Sequence, residues 1–137
     1  MNITRVTPIL NVADVPASIR WFESLGWARA FSWNARGAIA SAADRNEHGP
    51  ADFAGICSGE VDIFLSQTIP SLRSSGSYMS WWLSGPADVD RLCARAKALG
   101  YDVLRDPFDA PWGVREFHLK HPDGHVMRIG AELSCDR

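Results

Sequence analysis

Long hydrophobic runs are absent from this sequence of 137 residues, and no stretch of about 18 consecutive apolar residues occurs in it. We therefore expect no transmembrane helix. The start, MNITRVTPIL, lacks a basic stretch followed by a long apolar one, so we expect no signal peptide. Neither charge sign dominates, with 14 Lys and Arg against 16 Asp and Glu, which argues against a nucleic-acid or anionic-membrane partner.

Cysteine is scarce, and the common enzyme motifs are missing. Cys57, Cys93 and Cys135 are far apart and form no CxxC pair, which is typical of unpaired thiols in a reducing cytoplasm. No GxSxG, GxGxxG or P-loop occurs, so neither nucleophilic catalysis nor phosphate binding is indicated. Tryptophan is abundant, and six indole rings suit either a core or contacts to planar ligands.

One pattern of elements occurs twice along the chain. Strands are predicted at residues 4–12, 27–33, 53–57 and 61–67, and again at 77–84, 102–108, 115–120 and 126–130, with a helix after the first strand of each set. The words Ala-Asp-Val and Leu-Gly recur at the same spacing, around Asp14 and Gly26 and around Asp88 and Gly100. Internal repeats constrain a fold strongly. We therefore predict a single α+β domain of two βαβββ modules, at about residues 1–70 and 76–134.

A series of short words in a fixed order carries a family resemblance. The words are Pro8-Ile9-Leu10 through Asp14, Trp21-Phe22 with Leu25-Gly26-Trp27, Phe53-Ala54-Gly55-Ile56, Val61-Asp62-Ile63-Phe64-Leu65-Ser66, Pro111-Trp112-Gly113, Arg115-Glu116-Phe117 and His121-Pro122-Asp123-Gly124. Together they span nearly the whole chain, which resembles the glyoxalase/bleomycin-resistance/dioxygenase (vicinal oxygen chelate) superfamily and, within it, bleomycin-resistance proteins. The resemblance implies sheets that form an open cup, a ligand held in that cup, and a homodimer. Residues 34–52 are a longer link than is common in such proteins, and we expect a flap there.

The resemblance also implies where a metal would bind, because metal-dependent members carry His, Glu or Gln on the first and last strand of each module. The matching positions hold Thr7, Phe64, either Tyr78 or Trp81, and Arg128. A divalent metal needs lone-pair donors, which a phenyl ring and a guanidinium do not supply. We therefore expect neither a metal nor a cofactor, while Asp62 and Glu132 leave a displaced site open.

Alternation along the strands predicts which side chains share a face. Trp81 and Trp82 are expected on opposite faces of their sheet, one beneath the helix and the other in the cup. Tyr78 shares the face of Trp82, and Phe64 shares that of Asp62.

Three further aromatic residues, Trp33, Phe53 and Trp112, lie at strand ends or in loops, where the rim of a cup would be. Each ring alone is better explained by a core or a dimer interface than by a pocket. As a set, the aromatic residues favour a pocket for a planar or amphipathic molecule.

Residues 111–125, PWGVREFHLKHPDGH, contain three histidines and raise the question of a metal site. His121 and His125 flank a Pro-Asp-Gly turn and are expected at a sheet edge beside water. His118 lies within a strand and is expected to face the cup beside Glu116. Arg128 is either a pocket charge for an anionic or carbonyl group, or a neutralised structural arginine.

The sequence thus predicts a protein that binds and sequesters a bulky, partly aromatic small molecule, such as a bleomycin-type antibiotic, without catalysis. The candidate binding residues are Trp33, Phe53, Asp62, Phe64, Tyr78, Trp82, Trp112, Glu116, His118 and Arg128. A metal-dependent lyase, isomerase or dioxygenase of the same superfamily stays an alternative, as does a purely structural or regulatory partner. The net charge of −2 is a weak match for a cationic bleomycin, so the ligand could instead be a metabolite.

Overall fold

Two compact units, Met1–Ser74 and Ser75–Arg137, make up the protein in the computed structural model. The structure describes residues 1–34, 39–40, 50–67 and 76–133, with residues 39–40 described by their backbone alone. Within these residues, neither of the two helices is long and apolar enough to cross a membrane.

The first unit is one mixed sheet with a helix. Its elements are β1 (Ile9–Asn11), α1 (Val15–Ser24), β2 (Ala28–Trp33), β3 (Ile39–Ala40), β4 (Phe53–Ser58) and β5 (Val61–Ser66). The strand order is β1-β5-β4-β2-β3, with β1 parallel to β5 and the other pairs antiparallel. Asp14 caps α1 by accepting a hydrogen bond from the N–H of Ala17 (3.0 Å). Gly26 follows the helix with a φ of 103°, a conformation that favours glycine.

The first strand is much shorter than the predicted residues 4–12. It pairs with β5 only over Ile9–Asn11. The carbonyl of Pro8 accepts a hydrogen bond from the N–H of Phe64 (2.9 Å), but proline has no N–H with which to extend the ladder. The link predicted at residues 34–52 contains the two-residue strand β3, which the sequence did not indicate, and the expected flap lies mostly outside the described residues.

The second unit repeats the pattern without an extra strand. Its elements are β6 (Tyr78–Trp82), α2 (Pro86–Ala98), β7 (Asp102–Asp109), β8 (Val114–Lys120) and β9 (Val126–Glu132). The strand order is β6-β9-β8-β7, with β6 parallel to β9. The predicted α+β fold of two βαβββ modules is therefore confirmed, with β3 as an addition to the first.

One face of the second sheet forms the core of its unit. Phe117 pairs with Ile129 and Leu119 with Met127 across β8 and β9, and all four side chains are fully buried. Arg115 lies two positions before Phe117 and therefore on the same face. Its side chain reaches Asp90 of α2 (2.8 Å), so this is the face that the helix covers. The opposite face carries the polar and aromatic residues described next.

Candidate ligand-binding site

Two rows of side chains cross the open face of the second sheet, because neighbouring strands place them in register. One row is Trp82, Gly130, Glu116 and Phe108, and the other is Ser80, Arg128, His118 and Arg105. As predicted, Trp81 and Trp82 face opposite sides: Trp81 is buried, whereas Trp82 is 62% exposed.

Glu116 stands at the centre of this face with its carboxylate surrounded by donors. Arg128 donates from Nε to Oε2 and from Nη2 to Oε1, both at 2.8 Å. The indole Nε1 of Trp112 donates to Oε1 at 2.9 Å, and Nε2 of His118 lies 2.7 Å from Oε2. An ionised carboxylate has about four lone-pair sites, so these four contacts use all of them. Glu116 itself is 1% exposed.

The pKa values of the pair follow from this geometry. The hydrogen bonds from Arg128 lower the pKa of Glu116 to about 2, with His118 and Trp112 contributing, while burial opposes the shift. Glu116 in turn raises the pKa of Arg128, and Tyr78 beside the guanidinium adds to this. At neutral pH the two groups are therefore a fixed ion pair. Because the carboxylate only accepts hydrogen bonds in this state, Nε2 of His118 carries a proton.

Trp112 is placed by the turn between β7 and β8. The N–H of Gly113 donates to the carbonyl of Ala110 (3.0 Å), and Gly113 has a φ of 85°, which favours glycine. The indole ring lies edge-on to Phe108, with centroids 6.4 Å apart, and the guanidinium carbon of Arg128 is 5.5 Å from its centre. Trp112 is nevertheless 58% exposed, so much of its ring remains open for contacts.

A pocket of about 220 Å³ opens on this face. Its lining residues are Ser80, Trp81, Trp82, Trp112, Val114, Glu116, Arg128 and Gly130. Gly130 leaves space in the floor: a Cβ there would lie 2.9 Å from Cγ1 of Val114 and 3.2 Å from Cβ of Glu116. The predicted binding residues Trp82, Trp112, Glu116 and Arg128 thus line one cavity.

Tyr78 and His118 lie beside that cavity. Tyr78 is 67% exposed on β6, two positions before Ser80 on the same face. His118 contacts Glu116 as expected, and its ring lies edge-on to Phe108 at 5.9 Å. Arg105 in turn lies over Phe108, with its guanidinium carbon 3.5 Å from the ring centre.

The other predicted aromatic residues form a separate cluster in the first unit. Phe31 lies 6.1 Å from Phe53 and 5.4 Å from Phe64, and Trp33 lies 6.4 Å from Phe53, as distances between ring centroids. A Cβ at position 55 would overlap the ring of Phe31, so the ring can occupy this position because residue 55 is glycine. All four aromatic rings are half-buried.

Asp62 lies in the first unit as well, where its carboxylate forms an ion pair with Arg5 at 2.6 Å. Its side chain is 23% exposed and that of Arg5 is 61% exposed. The ten predicted binding residues therefore divide into four in the first unit and six in the second.

Ser80, Gly130 and Phe108 take part in the second-unit site, although the sequence did not single them out. Ser80 was recognisable from its alternation with Tyr78 and Trp82. Gly130 and Phe108 owe their positions to cross-strand register, which the sequence does not specify.

The expectation that His121 and His125 lie beside water is wrong. Their side chains are 1% and 2% exposed, and their rings lie 5.4 Å apart. Nδ1 of His121 accepts a hydrogen bond from the N–H of Asp123 (3.0 Å), and Nδ1 of His125 accepts one from the N–H of Ser77 (2.8 Å). Both imidazoles thus satisfy backbone donors, and burial beside His125 lowers the pKa of His121 to about 4.

The residues at the implied metal positions do not fit a metal ion. Arg128 presents a cation, and Glu116 beside it has its lone pairs occupied. Phe64, at the matching position of the first unit, offers only a ring. Among the residues that the structure describes, no group of three or more His, Cys, Asp or Glu side chains is arranged to hold a metal.

Comparison with solved structures supports the fold throughout the chain. A glyoxalase/bleomycin resistance protein/dioxygenase from Nocardioides is 22% identical with a TM-score of 0.69, covering 100% of this chain and 89% of its own. A bleomycin-binding protein complexed with bleomycin is 17% identical with a TM-score of 0.63, covering 95% and 99%. The fosfomycin resistance protein FosX from Listeria monocytogenes is 14% identical with a TM-score of 0.68, covering 96% and 94%.

At the level of sequence, no curated protein matches the chain. The family model for the glyoxalase/bleomycin resistance protein/dioxygenase superfamily, however, matches residues 2–129. The chain therefore belongs to the glyoxalase/bleomycin resistance protein/dioxygenase superfamily.

Proposed function

We propose that this protein binds and sequesters a bulky, partly aromatic small molecule, without catalysis, on the open face of its second sheet. The observation that carries the proposal is a carboxylate with no free lone pair at the base of a pocket with exposed tryptophans. Glu116 is held by Arg128, Trp112 and His118, while Trp82 and Trp112 expose more than half of their surface.

Exposed indole rings favour binding of a planar compound. An aromatic stacking contact contributes about 0.5–1.5 kcal/mol beyond the area that it buries. Trp82 and Trp112 both line the same cavity of about 220 Å³, which can take part of a large ligand while the rest extends along the open face. The fold shared with a bleomycin-binding protein makes a bleomycin-type antibiotic one class to test.

Acid–base catalysis is disfavoured by the ion pair. A general base at neutral pH needs a pKa near the working pH and a lone pair directed at the substrate. Arg128 holds the pKa of Glu116 at about 2, and every acceptor site of its carboxylate is engaged. This supports a role for Glu116 in fixing the site rather than in moving protons.

We further propose that the protein works as a homodimer in a reducing cytoplasm. The support for the compartment is that Cys57 and Cys93 are free thiols. The support for the dimer is the family resemblance, which implies dimers that often form by exchanging or sharing modules. Size-exclusion chromatography with light scattering tests it, and a particle of a single 15.1 kDa chain at micromolar concentration would contradict it.

The binding proposal is tested by titrating the protein with metal-free bleomycin and a panel of planar antibiotics while tryptophan fluorescence is recorded. We expect saturable quenching by at least one compound at micromolar concentration. Trp82→Ala should weaken that binding by about tenfold, since a stacking surface is lost. Trp27→Phe is the matched control, because Trp27 lies in the first unit against Phe22 and should leave affinity unchanged.

The outcomes of this titration separate the possibilities. Failure of bleomycin alone would remove that class of ligand, whereas failure of the whole panel would remove sequestration of an antibiotic. The metal-dependent enzyme is tested in parallel by calorimetric titration with Mn²⁺, Ni²⁺ and Zn²⁺. Stoichiometric, saturable binding of any of them would restore that alternative.

A further inference from the structure

The charged group that a ligand can reach in the second-unit pocket is a hydrogen-bond donor, the guanidinium of Arg128. Glu116 is 1% exposed, and its four acceptor sites are used by the protein. The side chain of Arg128 is 31% exposed. A cationic group in the pocket would therefore meet a guanidinium and find no free carboxylate, whereas an anionic or carbonyl oxygen would meet donors.

Arg128 has a second edge that Glu116 does not occupy. The side-on edge, formed by Nε and Nη2, binds both oxygens of Glu116. A guanidinium has five N–H groups in a planar fork, so Nη1 and the second N–H of Nη2 form another edge that matches a carboxylate. The hydroxyl group of Tyr78 is hydrogen-bonded to this guanidinium at a site that Glu116 leaves open, and Ser80 faces Arg128 in register on β6.

The ion pair also fixes the direction of that second edge. Two parallel hydrogen bonds to a buried carboxylate hold the guanidinium in one plane, which removes most of the entropy cost of ordering it upon binding. The same carboxylate accepts from Trp112, so the ring and the guanidinium keep a constant relative position. Their separation, 5.5 Å from the guanidinium carbon to the ring centre, suits a flat molecule with an acidic group on its ring.

We propose that the ligand of this pocket carries an oxyanion on a planar aromatic ring, such as an aromatic carboxylate, with the oxyanion on the second edge of Arg128, next to Tyr78, and the ring against Trp112 or Trp82. The inference rests on the proposed binding function and narrows it to a chemical class. Glu116 acts in it as a positioning residue, since it contacts Arg128 and not the ligand.

The test compares three probes of one shape by isothermal titration calorimetry: 2-naphthoate, the neutral 2-naphthamide and the cationic 2-naphthylmethylammonium ion. We expect naphthoate to bind about tenfold more tightly than the amide, and the ammonium ion to bind most weakly, because charge-assisted hydrogen bonds are stronger than neutral ones. Raising the salt concentration from about 0.05 M to about 0.5 M should weaken naphthoate binding and leave amide binding nearly unchanged.

Arg128→Lys is the diagnostic variant, because it keeps a positive charge for Glu116 but loses the second edge. It should reduce the preference for naphthoate over naphthamide to about twofold or less, since one ammonium cannot bind two carboxylates side-on. Arg115→Lys is the matched control: this arginine lies on the helix-covered face with Asp90 and Asp109, and its replacement should leave the preference intact. Thermal melting of both variants establishes that they are folded.

The failures of the two proposals are distinguishable. Equal binding of all three naphthalenes would overturn the inference and leave the binding function standing. A preference for naphthoate that survives in Arg128→Lys would also overturn it, since another group would then bind the oxyanion. If neither the naphthalenes nor the antibiotic panel binds at millimolar concentration, the binding function fails and the inference fails with it.

Discussion

The guanidinium of Arg128 and the carboxylate of Glu116 face each other across two antiparallel strands, with two parallel hydrogen bonds of 2.8 Å each. Within this pair the Glu116 side chain is buried, and the Arg128 side chain is partly open to the pocket. The arrangement gives the second sheet a polar centre in which the protein uses the acceptor sites of the carboxylate, while Arg128 remains able to donate further hydrogen bonds.

Glu116→Gln should destabilise the fold by about 2 kcal/mol, because a charged partner of Arg128 is removed and donors around it lose acceptors. The measurement is chemical denaturation at neutral pH. Glu132→Gln on β9, where the side chain is exposed, is the control and should stay within about 0.5 kcal/mol of the wild type. Equal effects of the two variants would contradict the importance of the pair.

The free energy of unfolding should depend on the protonation of Glu116 only at strongly acidic pH. Its pKa lies at about 2 in the folded protein against an ordinary value of 4.5. The pair's contribution is therefore complete above pH 4.5 and is lost as the pH falls towards 2, by at most about 3 kcal/mol. Glu116→Gln should flatten the stability curve in that window, and an unchanged curve would show that the pair is not ionised.

The protonation of His121 should lower the free energy of unfolding separately, at a less acidic pH than that of Glu116. Its pKa falls from 6.5 to about 4 through burial, so the unfolded chain binds a proton that the folded protein excludes. The stabilisation from this group is complete above pH 6.5 and declines as the pH falls towards 4, by up to about 1.4 kcal/mol per pH unit. His121→Asn keeps an acceptor for the N–H of Asp123 and should reduce this slope between pH 6.5 and 5. A slope identical to that of the wild type would contradict the assignment.

Gly130→Ala should lower stability and ligand affinity together. The added Cβ would lie 2.9 Å from Cγ1 of Val114 and 3.1 Å from the carbonyl oxygen of Arg115, so the strands must shift at a cost of about 1–3 kcal/mol. Gly85→Ser is the contrasting variant. Gly85 caps α2 without a side-chain hydrogen bond and has open space around it, so serine should stabilise the protein by roughly 0.3 kcal/mol. Thermal melting of both variants distinguishes a local clash from a general intolerance of glycine replacement.

Local patterns in the sequence were sufficient to predict most helices and strands and the face of the sheet on which many side chains lie. Alternation placed Trp81 and Trp82 on opposite faces, and Asp14 and Gly26 marked the ends of α1, because these signals depend only on neighbouring residues. The strand at residues 4–12 was predicted too long, since its end depends on a partner strand and on Pro8.

The sequence by itself determined the repeated βαβββ order and the family, and it predicted that the positions at which the resemblance implies metal ligands hold other residues. Only the tertiary structure decided that Arg128 is a paired pocket charge, that His121 and His125 are buried acceptors, and that the candidate residues divide between two sheets. The physical reason is that a side chain's role at a site depends on burial and on partners brought by cross-strand register. Those partners are distant along the chain, as Glu116 is from Arg128.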